Sequence, residues 1–191
     1  MADQQQQPPV IPEKTLPTVY RYITTHSSEG VSTFETGIPE AVDFERNPMG
    51  GDMFLAWSAT AFPAALARDV DLDGYRAGLE PTNKPASFST APGGFQASYI
   101  DFHPGCAPFW HRTRTIDFGV VIEGEVLLEL EGGEKRVLKK GDTVVQRGTN
   151  HAWSNPSQTE FARVFYIALD AQAPVVNGGK LAESFGVVSH K

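Results

Sequence analysis

From Phe95 to Leu169 the chain is a succession of short segments in which side chains alternate in character, cut by glycine-bearing turns. A strand sends successive side chains to opposite faces, so this pattern restricts the fold more than any other feature does. Phe95, Ala97 and Tyr99 alternate with Gln96 and Ser98. Val126, Leu128 and Leu130 alternate with Glu125, Glu129 and Glu131. Further strands are predicted over Thr115–Ile122, Thr143–Gln146 and Arg163–Leu169, with turns at Glu123-Gly124 and Gly132-Gly133. Many short strands joined by turns predict an all-β, antiparallel sandwich or barrel rather than a helical or α/β fold.

The earlier part of the chain adds less. Residues 1–17 are rich in Gln and Pro and read as a disordered tail, because such residues bury too little surface to offset the entropy of ordering them. Val19–Ile23 and Val31–Phe34 read as a pair of strands around the turn at Ser27–Gly30, and Met53–Ser58 as another. Residues 60–94 are punctuated by proline and glycine and read as a long connection with room for one helix near Ala64–Arg68. The predicted organisation is a single domain over residues 18–170, its core motifs within 95–169, with a C-terminal tail over 171–191.

Charge and cysteine usage exclude some functions. A formal net charge of -7 repels phosphate backbones and anionic lipids, so neither nucleic acid nor membrane is an expected partner. The lone Cys106 cannot form an internal disulfide. No apolar run near Met1 suggests a signal peptide or anchor, and Pro156 blocks the glycosylation pattern at Asn155. The expectation is a cytoplasmic protein with a small-molecule partner.

Two segments carry the chemistry. One runs from Gly105 through His111, Thr113 and Asp117 to Gly124, and the other from Gly141 through Arg147 and His151 to Asn155. Together they resemble the two signature motifs of the cupin superfamily. The string His111-Arg-Thr-Arg-Thr-Ile-Asp117 and the string Val144-Val-Gln-Arg-Gly-Thr-Asn-His-Ala-Trp153 resemble a narrower group, the small stand-alone cupins of bacteria and fungi. The resemblance implies a double-stranded β-helix, or jelly-roll, barrel. Fungal members of that group are often encoded beside polyketide synthases and are commonly labelled oxidoreductases, which implies tailoring of a small aromatic or polyketide product. The chain departs from the superfamily pattern in four places, one of them a second motif shorter by one residue before His151. Thr113 stands where a second histidine is usual, Asp117 where a glutamate is usual, and Arg147 where a proline is usual.

What remains of the ligand set allows two readings. Residues two apart on a strand share a face, so His111, Thr113 and Asp117 face the same way if the strand is regular, with His151 arriving from a neighbouring strand. His111, His151 and Asp117 then make a facial set for one divalent metal, Fe, Zn or Mn. In the other reading the pocket is metal-free and His111 or His151 works as acid or base. Trp110 and Trp153 flank the histidines and are placed to stack on a flat substrate. Thr113, Arg147 and Tyr99 complete the expected substrate-binding set, and His103 is a further candidate from the preceding strand. Arg112 and Arg114 alternate with the pocket residues and read as surface groups. Cys106 has no activating base nearby and reads as an inert thiol. His26 and His190 read as loop and tail residues.

Asp69-Val-Asp71-Leu-Asp73-Gly74 with Glu80 matches the spacing of a calcium loop. Arg76 stands at a normally apolar position, and Pro81 blocks an exiting helix, so a solvated acidic loop is the expectation. The functional expectation is a small-molecule enzyme: oxidation with Fe, or dehydration, decarboxylation or isomerisation with Zn or no metal. The alternative is a non-catalytic cupin that binds a small ligand. A homodimer is expected, with the early strands Val19–Phe34 extending a partner's sheet.

Overall fold

The computed structural model describes residues 13–47, 51–79 and 90–186. Two sheets make the body of the molecule. In chain order the strands are β1 (Thr24–His26), β2 (Ser32–Phe34), β3 (Glu45–Asn47), β4 (Gly51–Ala59), β5 (Phe95–Phe102), β6 (Phe109–Arg112), β7 (Thr115–Glu123) and β8 (Glu125–Leu130). They continue with β9 (Lys135–Lys139), β10 (Thr143–Arg147), β11 (His151–Ser154), β12 (Ala162–Asp170), β13 (Val175–Val176), β14 (Gly179–Lys180) and β15 (Ser184–Phe185). A six-stranded sheet has the order β10-β7-β12-β5-β4-β3, and a five-stranded sheet has the order β15-β6-β11-β8-β9. All the pairings within them are antiparallel. This is the jelly-roll barrel that the motif resemblance implies.

The inner faces meet over Phe102, Val121, Val126, Leu128, Leu138, Trp153, Ala162 and Val164. Gly124 closes the tight turn between β7 and β8 at φ 71°. A Cβ there would meet the Phe161 carbonyl oxygen at 2.7 Å, so both the backbone angle and the space require glycine.

The helix lies elsewhere than the sequence suggests. Ala64–Arg68 does not form one. Instead a 3-10 turn at Ala67–Asp69 leads into α1 (Val70–Leu79). Asp71 and Asp73 lie in the first turn of α1, where carboxylates favour the helix dipole. A calcium loop cannot form on that helical backbone; Asp73 instead accepts from Arg76 at 3.1 Å, and Glu80 lies outside the described residues. Gly74 and Gly78 weaken the helix signal locally. Packing overrides them: Leu72 and Tyr75 are buried with Ile38, and the Tyr75 ring stacks on Trp57 at 4.5 Å. The Tyr75 hydroxyl donates to the Leu55 carbonyl at 2.8 Å. So α1 covers the outside of the six-stranded sheet.

Two other segments also differ from expectation. The turn at Ser27–Gly30 is present, but β1 begins at Thr24, and β1–β2 form a separate two-stranded sheet. Residues 171–186 are not a loose tail. They hold β13–β15, and β15 pairs with β6, setting Phe185 opposite His111.

Asp101 on β5 and Arg163 on β12 are direct cross-strand partners. Their side chains form a two-pronged pair, Nε to Oδ1 at 2.6 Å and Nη2 to Oδ2 at 2.8 Å, and both are almost fully buried. Lys14 adds a third contact to Asp101 at 2.5 Å. Replacing Asp101 with Ala should leave a buried guanidinium without its carboxylate and cost about 3–5 kcal/mol of stability. The double variant Asp101→Leu/Arg163→Leu should cost less than Asp101→Ala alone, because it leaves no buried charge unpaired. Urea unfolding of the three proteins checks both statements.

Candidate functional site

The inner faces enclose a cavity of about 90 Å³ that opens at one side. Its walls come from both sheets, and strand parity decides which side chains line it. On β6 and β11, His111 and His151 are direct cross-strand partners, so both rings fall on the inner face, with centroids 4.3 Å apart. Phe109 and Trp153, the next paired positions, also line the cavity. Trp153 stands edge-on to His151, with centroids 6.2 Å apart and planes at 88°.

Each histidine is oriented by its own strand. His111 Nδ1 lies 3.1 Å from the Phe109 carbonyl, and His151 Nδ1 lies 2.9 Å from the Thr149 carbonyl. A carbonyl can only accept, so both Nδ1 atoms carry hydrogen and both rings present Nε2 as the acceptor nitrogen. Burial lowers the pKa of His111. Burial first, and the neighbouring His111 second, push His151 down to about 3. The pair is therefore neutral at ordinary pH.

The six-stranded sheet supplies the opposite wall. One inner row runs Gln146–Asp117–Ala168–Gln96, and the next runs Gly119–Tyr166–Ser98. Gly119 leaves space for the Tyr166 ring; a Cβ would stand 2.9 Å from its edge. Thr113 and Thr115 continue the inner line from His111 towards Asp117, their hydroxyls bonded at 2.7 Å. Burial raises the Asp117 carboxyl to about 6, against a hydrogen bond from Thr115 that lowers it. Burial, and then the charge of Asp117, raise the Tyr166 phenol well above its usual value. Asp117 Oδ1, Tyr166 Oη and Ser98 Oγ are buried without a hydrogen-bond partner.

Of the residues expected at the site, the structure brings together His111, His151, Thr113, Asp117 and Trp153. Three expected substrate contacts lie elsewhere. Trp110 pairs with Ala152, one step out of phase with the histidines, and Phe109 lines the cavity in its stead. Arg147 is exposed, and its neighbour Gln146 points inward. Tyr99 stacks on Phe54 and packs against Phe165, on the outer face of β5. The reason for Tyr99 is that β5 is covered on both sides. Its apolar face meets aromatic groups outside the barrel, and its polar face, Gln96 and Ser98, lines the cavity. His103 also lies apart, 3.0 Å from Asp52 with Arg46 over its ring.

Arg112 pairs with Glu131 at 3.2 Å and Arg114 with Asp170 at 3.0 Å. Cys106 is half-buried, and burial pushes its thiol up. His26 lies on β1, exposed, and His190 lies outside the described residues.

The metal reading does not fit this donor set. Among the described residues no group of three or more His, Cys, Asp or Glu comes together to hold an ion. Thr113 removes the second histidine of the first motif, and Asp117 belongs to the facing sheet, where its carboxylate does not join the two rings. An Fe, Zn or Mn centre of three protein ligands is thus not built here. Also among the described residues, no helix is long and apolar enough to cross a membrane.

Comparison with known proteins agrees with this architecture. A family model described as a cupin domain matches residues 98–167. The chain is 56% identical over 180 residues to the oryzines biosynthesis cluster protein J of Aspergillus oryzae (strain ATCC 42149 / RIB 40), covering 94% of this chain and 98% of that protein. It is 42% identical over 168 residues to the phomopsin biosynthesis cluster protein D of Diaporthe leptostromiformis, covering 87% and 85% respectively. It is 37% identical over 172 residues to the cupin-domain-containing oxidoreductase srdB of Neurospora crassa, covering 87% and 81%.

The buried groups make stability depend on pH with opposite signs. His151 has a folded pKa near 3 against an ordinary 6.5, so its unfolded form binds a proton first. Stability is full above pH 6.5 and falls as pH drops towards 3, by about 2 kcal/mol at pH 5. Asp117 has a folded pKa near 6 against 3.8. Its contribution is full below 3.8 and is lost as pH rises through 6, about 3 kcal/mol in all. The expected outcome is that His151→Gln loses less stability than the parent between about pH 7.5 and pH 5. Asp117→Asn should be more stable than the parent at about pH 7.5. Urea midpoints at the two pH values test both.

Proposed function

The chain belongs to the cupin family that includes these fungal biosynthesis-cluster proteins, and we propose that it is a tailoring enzyme acting on a small secondary metabolite held inside the barrel. The observation that carries this reading is the histidine pair. Two neutral imidazoles, fixed by backbone carbonyls, present Nε2 on the wall of the cavity inside the barrel. A buried neutral imidazole is a proton acceptor at ordinary pH, and its conjugate acid returns the proton readily.

The chemistry that follows is proton transfer. Isomerisation or dehydration through an enol requires a proton to leave a C–H or O–H group. His151, the ring that Trp153 flanks, is the acceptor in this reading. His111 lies beside it, and Trp153 holds a flat substrate at its edge. The names of relatives in oryzine and phomopsin clusters, and of srdB as an oxidoreductase, support a secondary-metabolite substrate. The mouth of the barrel admits that substrate, and the walls Phe109, Ile100 and Phe102 exclude water from the reacting end.

Replacing His151 with Ala should lower turnover of the true substrate by about 100-fold or more, with the circular dichroism spectrum unchanged. His26→Ala, on an exposed strand outside the barrel, should not change it. The assay is incubation with secondary-metabolite intermediates followed by mass spectrometry. Full activity in both variants would overturn the catalytic reading and leave a ligand-binding cupin in its place.

A further inference from the structure

We infer that Asp117, Tyr166 and Ser98 form a second polar pole of the cavity, which receives an uncharged oxygen group of the ligand and rejects carboxylates. The inference rests on the reading of this cavity as a small-molecule site and names the class of molecule it takes. The two poles stand on different sheets: the histidines on β6 and β11, the second pole on β7, β12 and β5. Facing sheets are about 10 Å apart, so a ligand between them meets both.

The first support is the set of unpartnered atoms. Asp117 Oδ1, Tyr166 Oη and Ser98 Oγ are all buried without a hydrogen-bond partner, and their residues all line this cavity. Orphaned buried polar atoms cost stability. Three from adjacent inner rows, Tyr166 and Ser98 being direct cross-strand partners, face one space. A ligand hydroxyl placed there would satisfy them. Ser98 and Tyr166 donate, and Asp117 accepts.

The second support is charge. Among the described residues lining the cavity there is no lysine or arginine. Arg112 and Arg114 are turned away into their own ion pairs, and Arg147 is exposed. An anionic ligand would find the Asp117 carboxylate in the cavity and no cation to offset its desolvation. A neutral phenol or enol meets no such penalty. The ligand class is therefore an uncharged, flat molecule with oxygen functions at two ends.

The test uses resorcinol, which is uncharged with two hydroxyls, and benzoate, an anion of similar size. NMR titration of the full chain at about pH 7.5 gives the two dissociation constants. The parent protein should bind resorcinol at least about tenfold more tightly than benzoate. Tyr166→Phe and Ser98→Ala should each weaken resorcinol by about five- to tenfold. Asp117→Asn, which keeps the shape and removes the charge, should bring the resorcinol-to-benzoate ratio near one. His26→Ala, exposed and outside the barrel, should preserve the ratio. Turnover does not enter this measurement, so the catalytic reading and the binding pole can each fail while the other stands. Equal or tighter binding of benzoate by the parent would overturn the inference. So would a ratio untouched by Asp117→Asn and Tyr166→Phe together, or no resorcinol binding at about 10 mM.

Discussion

The register of β12 between β5 and β7 governs the rest of the molecule. Side chains alternate along a strand, so a slip of one residue would exchange the two faces completely. Tyr166 would leave the cavity and Phe165 would enter it. The buried pair between Asp101 and Arg163 stands at one rung of this ladder. In any other register a guanidinium or a carboxylate would be buried alone, which is a far larger penalty than the loss of a few apolar contacts. The pair therefore acts as a peg that holds one alignment. A similar alignment on the other sheet sets His151 opposite His111.

The cavity carries polar groups that a stability-only design would replace. His151, Gln146, Gln96 and Ser98 are all buried, and Asp117 is held at a pKa far from that of an exposed aspartate. Each lowers the stability of the empty barrel. Backbone carbonyls satisfy the histidine Nδ1 atoms, and Thr149 bonds Gln146. The second pole is left open. Three unsatisfied polar atoms that share one space, while the rest of the inner face packs through Val121, Val126, Leu128 and Val164, are what is expected where a ligand binds.

Much of this was legible beforehand, and the failures share a cause. Strands β5, β7, β8, β10 and β12 follow from alternation and turn glycines, because those signals are local. His111, His151, Thr113, Asp117 and Trp153 follow from the two motifs. Tyr99 faces outward against expectation because alternation tells which residues share a face, but not which face is inside. The usual assumption that the apolar face is inside fails when α1 and neighbouring aromatic groups cover the outside. Trp110 and Arg147 were placed by nearness in sequence, whereas parity in the strand turns them out. Tyr166 was missed because a single tyrosine in an apolar strand has the pattern of a core residue.

By itself, the sequence determined the fold class, the positions of the turns and the identity of the histidine pair, since periodicity, glycine requirements and motif spacing act over a few residues. Tertiary structure decided that Val70–Leu79 is a helix and not an acidic loop, because burial of Leu72 and Tyr75 outweighs two glycines. It decided that residues 171–186 return to pair beside His111, a contact between positions some seventy residues apart. It also decided the character of the cavity. Whether Asp117 joins the histidines or faces them depends on which sheet it occupies, and the protonation of both depends on how much water the two sheets exclude. Those are properties of the closed barrel, and no local stretch of chain contains them.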